Sequence, residues 1–195
     1  MTRYLFALLV CLYLVPYARA ETATAIFAGG CFWCMESAFQ EREGVIDVVS
    51  GFSGGTLENP TYRGNHEGHF EAVRVRYDPV IVSYAALLDL FWVNIDPLDN
   101  YGQFCDKGPS YRSAIFPASP EERRLAEESL AEVAARFRPD PVATEIRDAG
   151  AFWPVEEGHQ DYYLKNPLRY NYYRWNCGRD QRLEKLWGNA AGGHQ

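Results

Sequence analysis

Between Ala25 and Ile146 the chain switches its hydrophobic period repeatedly, and that switching constrains the fold more than any other feature of the sequence. Phe70–Tyr77 alternates with period two. Glu71, Val73, Val75 and Tyr77 fall on one face, Arg74 and Arg76 on the other, and Asp78-Pro79 ends the run. A helical period appears from Cys31 to about Arg42, where Phe32, Met35, Ala38 and Phe39 are separated by Glu36, Gln40 and Glu41, with Gly44 as the stop. Ala25–Ala28 before this helix and Val45–Phe52 after it read as strands. Ser83 predicts the cap of a helix to about Val93, closed by Asp96-Pro97. Arg112–Phe116 reads as a strand. Ser119-Pro120-Glu121-Glu122 then opens a helix to about Arg138, as a capping box with Pro at the first helical position. Val142–Ile146 reads as a further strand. The order β-α-β, β-α-β, then α and β predicts an α+β fold, a ferredoxin-like two-layer α/β sandwich. After about residue 150, Tyr162, Tyr163, Tyr170, Tyr172, Tyr173 and Trp175 crowd together and predict an irregular aromatic C-terminal extension whose amphipathic rings wrap the core.

The first twenty residues read as a signal peptide rather than as part of the fold. Arg3 supplies the positive n-region, Tyr4 to Val15 the apolar stretch, and Ala18-Arg19-Ala20 the A-x-A cleavage site. Residues 21–195 then form a single domain in an exported, periplasmic or secreted protein. Cleavage removes two arginines and no acid, so the net charge moves from −7 to −9. With no clustered Lys and Arg, nucleic-acid and anionic-membrane binding are disfavoured, because both need such clusters to neutralise phosphate. No heptad or apolar stripe marks a dimer, so a monomer is expected. Cys11 leaves with the apolar stretch, and Cys31, Cys34, Cys105 and Cys177 remain. In an oxidising compartment these four could form two structural disulfides.

Gly29-Gly30-Cys31-Phe32-Trp33-Cys34 concentrates the chemistry. A cysteine that follows a strand and a Gly-Gly turn and opens a helix sits where backbone N–H groups and the helix dipole favour an anion. A thiol of reference pKa ~8.5 is mostly protonated at pH 7, and helix N-termini and Cys-x-x-Cys contexts lower that value. Cys31 is therefore expected to be the nucleophile, with Cys34 one helical turn away and within disulfide reach. Zinc is disfavoured because it needs about four ligands and no second paired spacing exists. A redox-active pair and a structural disulfide stay open on these residues alone. Glu71, on the apolar face of its strand, is expected to be desolvated and its pKa raised, so that it can hold and donate a proton near neutrality.

GGCFW, GG…NPTY, GHFEAVRVRYDP, Asp106-x-Gly108-x-x-Tyr111-Arg112-Ser113 and Glu156-x-x-His159-Gln160…Asn166-Pro167 follow one another in an order that resembles the A-type peptide-methionine sulfoxide reductases. The resemblance spans about residue 24 to 188. It implies reduction of the S epimer of methionine sulfoxide, in oxidised proteins and free, to methionine. Residue by residue, it implies that Cys31 is the nucleophile and that Glu71 protonates the sulfoxide oxygen. Tyr62 and Tyr111 would be the phenols that bond that oxygen, with Asp106 the acid beside them. Phe32 and Trp33 would form the apolar pocket for the substrate methyl. Cys31 would become a sulfenic acid, resolved by a second thiol and recycled by a thioredoxin-like dithiol donor, with no metal or other cofactor. Cys34 and Cys177 are the candidate resolving cysteines, with a Cys31–Cys34 disulfide expected first and exchange to Cys177 afterwards. Two positions depart from the family pattern. Cys34 stands where many members carry Gly, and Cys105 to Tyr111 lacks the familiar Gln before its tyrosine. Cys105 is expected to be a buried small residue. A general exported disulfide oxidoreductase and a binding module with structural cysteines are the competing readings, separated by a thiol-dependent, epimer-resolved methionine sulfoxide assay.

Overall fold

A computed structural model describes residues 22–192. The predicted signal peptide, residues 1–20, lies outside the described residues. The elements are β1 (Ala23–Gly29), α1 (Phe32–Gln40), β2 (Val45–Ser53), β3 (Phe70–Tyr77), α2 (Tyr84–Trp92), β4 (Gly102–Gln103), β5 (Asp106–Lys107), β6 (Ser113–Phe116), α3 (Pro120–Arg136), β7 (Glu145–Ile146), β8 (Trp153–Pro154), α4 (Tyr162–Lys165), α5 (Pro167–Asn176) and α6 (Arg179–Trp187). Six strands make one mixed sheet in the order β7-β6-β1-β3-β2-β8, in which only the β6–β7 pair is parallel.

The period-two reading of β3 matches the structure to the residue. Val73 and Val75 pair with Phe27 and Ala25 of β1, and with Ser50 and Val48 of β2. Their side chains join Phe32, Met35 and Phe39 of α1 and Leu87, Leu88 and Phe91 of α2 in the main core. Phe27 stacks on Phe39 at 5.2 Å and on Phe91 at 5.3 Å, which ties the central strand to both helices. Truncating a fully buried Phe of this kind to Ala costs about 3–5 kcal/mol. On the opposite face Phe70, Ala72, Ala28, Ala114 and Phe116 form a second, smaller cluster. Ser83 and Ser119 cap α2 and α3 as predicted, each accepting a backbone N–H three residues on, from Ala86 and Glu122, at 3.1 Å. The return bond of the predicted capping box goes one residue further back, since Glu122 Oε2 accepts from Ala118 N at 2.7 Å.

The C-terminal segment departs from expectation. Instead of an irregular extension it forms α4, α5 and α6, with Pro167 at the first position of α5 and Gly178 left-handed (φ 66°) between α5 and α6. Long-range polar bridges fasten it. Gln160 exchanges two 2.9 Å bonds with the backbone of Ser50, and Asp161 N donates to Glu36 Oε1 at 3.0 Å. Arg179 Nη2 donates to Asn94 O at 2.6 Å, and Trp187 Nε1 to Ile95 O at 2.9 Å. Among the described residues no helix is long and apolar enough to cross a membrane.

Candidate active site

β1 runs into Gly29-Gly30, and only glycine fits there. A Cβ on Gly29 would meet Met35 Sδ at 2.5 Å, and one on Gly30, whose φ is +80°, would meet Gln103 Cβ at 2.5 Å. Gln103 is itself locked by two 2.8 Å bonds to the backbone of Asp96. The turn delivers Cys31 to the N-cap of α1, next to Glu71 on β3. Glu71 is 2% exposed and its Oε2 accepts from Phe32 N at 3.1 Å. Burial pushes its carboxyl up to about 8, against the lowering hydrogen bonds from Phe32 N–H and Tyr111. The sequence-based expectation of a desolvated, proton-holding glutamate therefore agrees with the structure.

The expectation for Cys31 does not. Cys31 is 5% exposed and burial pushes its thiol up, helped by the hydrogen bond and charge of Cys34. Cys34, 1% exposed, is instead lowered to about 6, first by the hydrogen bond from Cys31 and then, against its burial, by the charges of Arg179 and Arg174 and a bond with Tyr170. The physical reason is that Cys31 is desolvated and faces the charge of Glu71, whereas Cys34 receives the bond from Cys31 and the charges of Arg179 and Arg174. The two thiols share one acidic proton and titrate as a pair.

Tyr62, Tyr111 and Asp106 converge on this pair. Burial pushes Tyr62 up to about 12 and Tyr111 higher still, and each is raised further by the charges of Glu71, Cys31 and Asp106. Asp106 is raised by burial against a hydrogen bond from Tyr173. Phe32 and Trp33 begin an aromatic wall. Tyr62 lies 5.9 Å from Phe32, Tyr162 stacks on Trp33 at 3.8 Å, and His159 lies 4.0 Å from Tyr62. Such a wall accommodates a methyl beside a sulfur while the phenols face an oxygen.

Two expectations about cysteines are corrected. Cys105 is exposed rather than buried, and it forms a disulfide with Cys177, 72 positions away. Cys177 therefore has Cys105 as its partner, and is not a free thiol awaiting exchange from Cys34; among the described residues Cys31 and Cys34 are the free pair. Cys105, Asp106 and Cys177 are also close enough to hold a metal ion, but both sulfurs are spent in the disulfide. Tyr173, Tyr162 and Arg179 were not singled out as site residues from sequence, and His159 entered only as part of the motif that carries the resemblance. The only signal for the first two was the aromatic run itself.

A buried dithiol beside a protonated carboxyl and converging phenols, set on a mixed α/β sheet, defines a thiol-based oxidoreductase. The family described as peptide methionine sulfoxide reductase (PMSR) matches residues 23–191. Peptide methionine sulfoxide reductase MsrA 2 of Caulobacter vibrioides is 50% identical over 174 residues, covering 88% of this chain and 88% of that protein. Methionine sulfoxide reductase A of Corynebacterium diphtheriae superposes with a TM-score of 0.67 at 35% identity, over 77% of this chain and 78% of that one. Mxr1 of Saccharomyces cerevisiae, solved in complex with Trx2, shares the fold with a TM-score of 0.52 at 22% identity, over 77% and 91% of the two chains. The chain belongs to the peptide methionine sulfoxide reductase family.

Proposed function

We propose that this chain reduces the S epimer of methionine sulfoxide, in oxidised proteins and free, to methionine. The observation that carries the reading is Glu71: a carboxyl raised to about 8, buried on the sheet and bonded to the first N–H of the helix that Cys31 caps. The Cys31 thiolate attacks the sulfoxide sulfur and Glu71 protonates the oxygen. Tyr62 and Tyr111, with Asp106 beside them, hold that oxygen as charge develops on it. Phe32 and Trp33 receive the methyl. Cys31 leaves as a sulfenic acid, which Cys34, hydrogen-bonded to it, attacks to give a disulfide and water.

The exposed Cys105 and its partner Cys177 lie on the route by which a dithiol donor recycles the enzyme, and once the donor has opened their bond Cys177 is the second resolving candidate. That donor is thioredoxin-like, a reading supported by the Mxr1–Trx2 complex, and no metal or other cofactor enters the cycle. The strand order β6-β1-β3-β2 supports the ferredoxin-like description of the core. The protein acts as an exported monomer, a single domain over 21–195 after removal of residues 1–20.

The test is methionine formation from each sulfoxide epimer with a thiol reductant. Turnover of the S form alone supports the reading. Disulfide reduction without methionine formation would replace it with a general oxidoreductase.

A further inference from the structure

Tyr173 stands between two groups already placed at the reaction centre. Its hydroxyl donates to Asp106 Oδ2, its ring packs against the buried cluster that holds Cys31 and Cys34, and its phenol acts on the Cys31 thiol in the lowering direction. Its ring meets Trp33 edge-on at 6.1 Å. Burial, then the charges of Cys31, Cys34 and Asp106, push its own ionisation far above the ordinary phenol value, so it stays a neutral donor and acceptor. The Cys105–Cys177 disulfide fixes both ends of the Tyr173–Asp106 bond. Cys105 adjoins Asp106, and Cys177 follows Tyr173 by one helical turn, its N–H bonded to Tyr173 O at 2.9 Å.

We propose that Tyr173 is a further catalytic residue, whose phenol passes the Cys31 proton to Asp106 before attack and returns it when the sulfenic oxygen departs. The inference rests on the function proposed above. In the first step Cys31 S–H gives its proton to the Tyr173 oxygen while Tyr173 O–H gives its own to the Asp106 carboxylate. The phenol is unchanged, Cys31 is a thiolate and Asp106 is neutral. The thiolate attacks the sulfoxide sulfur and Glu71 supplies the proton that makes the Cys31 sulfenic acid, releasing methionine. In the second step the Cys34 thiolate attacks the Cys31 sulfur, the S–O bond breaks, and the departing oxygen takes the stored proton from Asp106 through Tyr173 and leaves as water. Solvent reprotonates Glu71. Cys34 is the competing acceptor for the first proton. Accepting it would neutralise the thiolate that Arg174 of α5 and Arg179 of α6 hold ready for the second step. Glu71, Tyr62 and Tyr111 face the same space, and Tyr111 is engaged by Glu71.

The experiment compares reduced wild-type enzyme with Tyr173→Phe, Asp106→Asn and the double variant from pH 6 to 9. It measures alkylation of Cys31 by iodoacetamide, mapped by peptide mass spectrometry, and methionine formed in a single turnover. Both single variants should slow Cys31 alkylation at pH 7 at least about tenfold and methionine formation about 10²-fold. The double variant should be no slower than either, and the alkylation deficit should close as pH rises toward the raised pKa of Cys31. Additive losses, a deficit independent of pH, or faster alkylation in Tyr173→Phe would overturn the proposal. Absence of methionine from wild type would count against the proposed function instead, since alkylation reads the proton path without substrate.

Discussion

The two halves of the site are held by different physics. Cys31 and Glu71 come from β1, α1 and β3, where register and close packing leave no freedom: a Gly-Gly turn, a central strand and a helix start meet within the main core. Tyr173 lies on α5 and Cys177 at its C-cap, in a C-terminal segment fastened by polar bridges such as Gln160 to Ser50 and Asp161 to Glu36, by Tyr170 buried beside the cysteine pair, and by one disulfide. Local sequence rules build the first half. Contacts 67 to 125 positions apart build the second, so its attachment responds to redox state and to the titration of Glu36, as the packing of the sheet does not.

The largest effect expected is on the sheet side. Cys31→Ser should abolish methionine formation and leave the thermal melt unchanged, because serine offers no alkoxide at pH 7. Activity above a few per cent of wild type would remove Cys31 from the mechanism. Next, Glu71→Gln should slow single-turnover reduction about 10²- to 10⁴-fold. Glu71 must carry its proton to act, so the wild-type rate should fall as pH rises through about 8, and that limb should vanish in the variant.

On the C-terminal side, Cys105→Ser or Cys177→Ser opens a loop of 72 positions' separation, a loss of about 4 kcal/mol by chain entropy. Denaturant titration should show that loss without reductant and no difference from wild type with it. A loss that persists in reductant would mean that the side chains, not the crosslink, hold α5. The smallest effect concerns Glu36, whose carboxyl burial pushes up to about 7. A carboxyl raised in the folded state stabilises fully below its unfolded value, and the contribution is lost as pH rises through the folded one. Glu36→Gln should therefore raise the melting temperature at pH 8 and change it little at pH 4. An equal shift at both would show that its charge is irrelevant.

What the sequence made legible follows the same division. Phe70–Tyr77 and its faces, Glu71 among them, could be read from alternation alone, and Cys31 from a strand, two glycines and a helix start. The acidity within the thiol pair could not, because it turns on burial and on which sulfur faces Arg174 and Arg179, both brought in by the C-terminal helices. α5 stayed illegible because its aromatics point both ways: Tyr170 is buried and Tyr173 meets Cys31, while Tyr172 and Trp175 are exposed. With rings on both faces, the helical period disappears from any hydrophobicity pattern. Pairing Cys105 with Cys177 was equally beyond reach, since spacing does not determine connectivity among four cysteines.

Met35 has a consequence for survival under attack by oxidants. It and Met1 are the two methionines of the chain, and Met35 has no exposed surface. Its sulfur is pressed against Gly29 and receives a 3.4 Å bond from Arg179 Nη2. Peroxide has no approach to that thioether, and an added oxygen would have no room there. Over residues 22–192 the catalyst thus offers no surface methionine to the damage it is built to reverse, and it stays a poor substrate for itself.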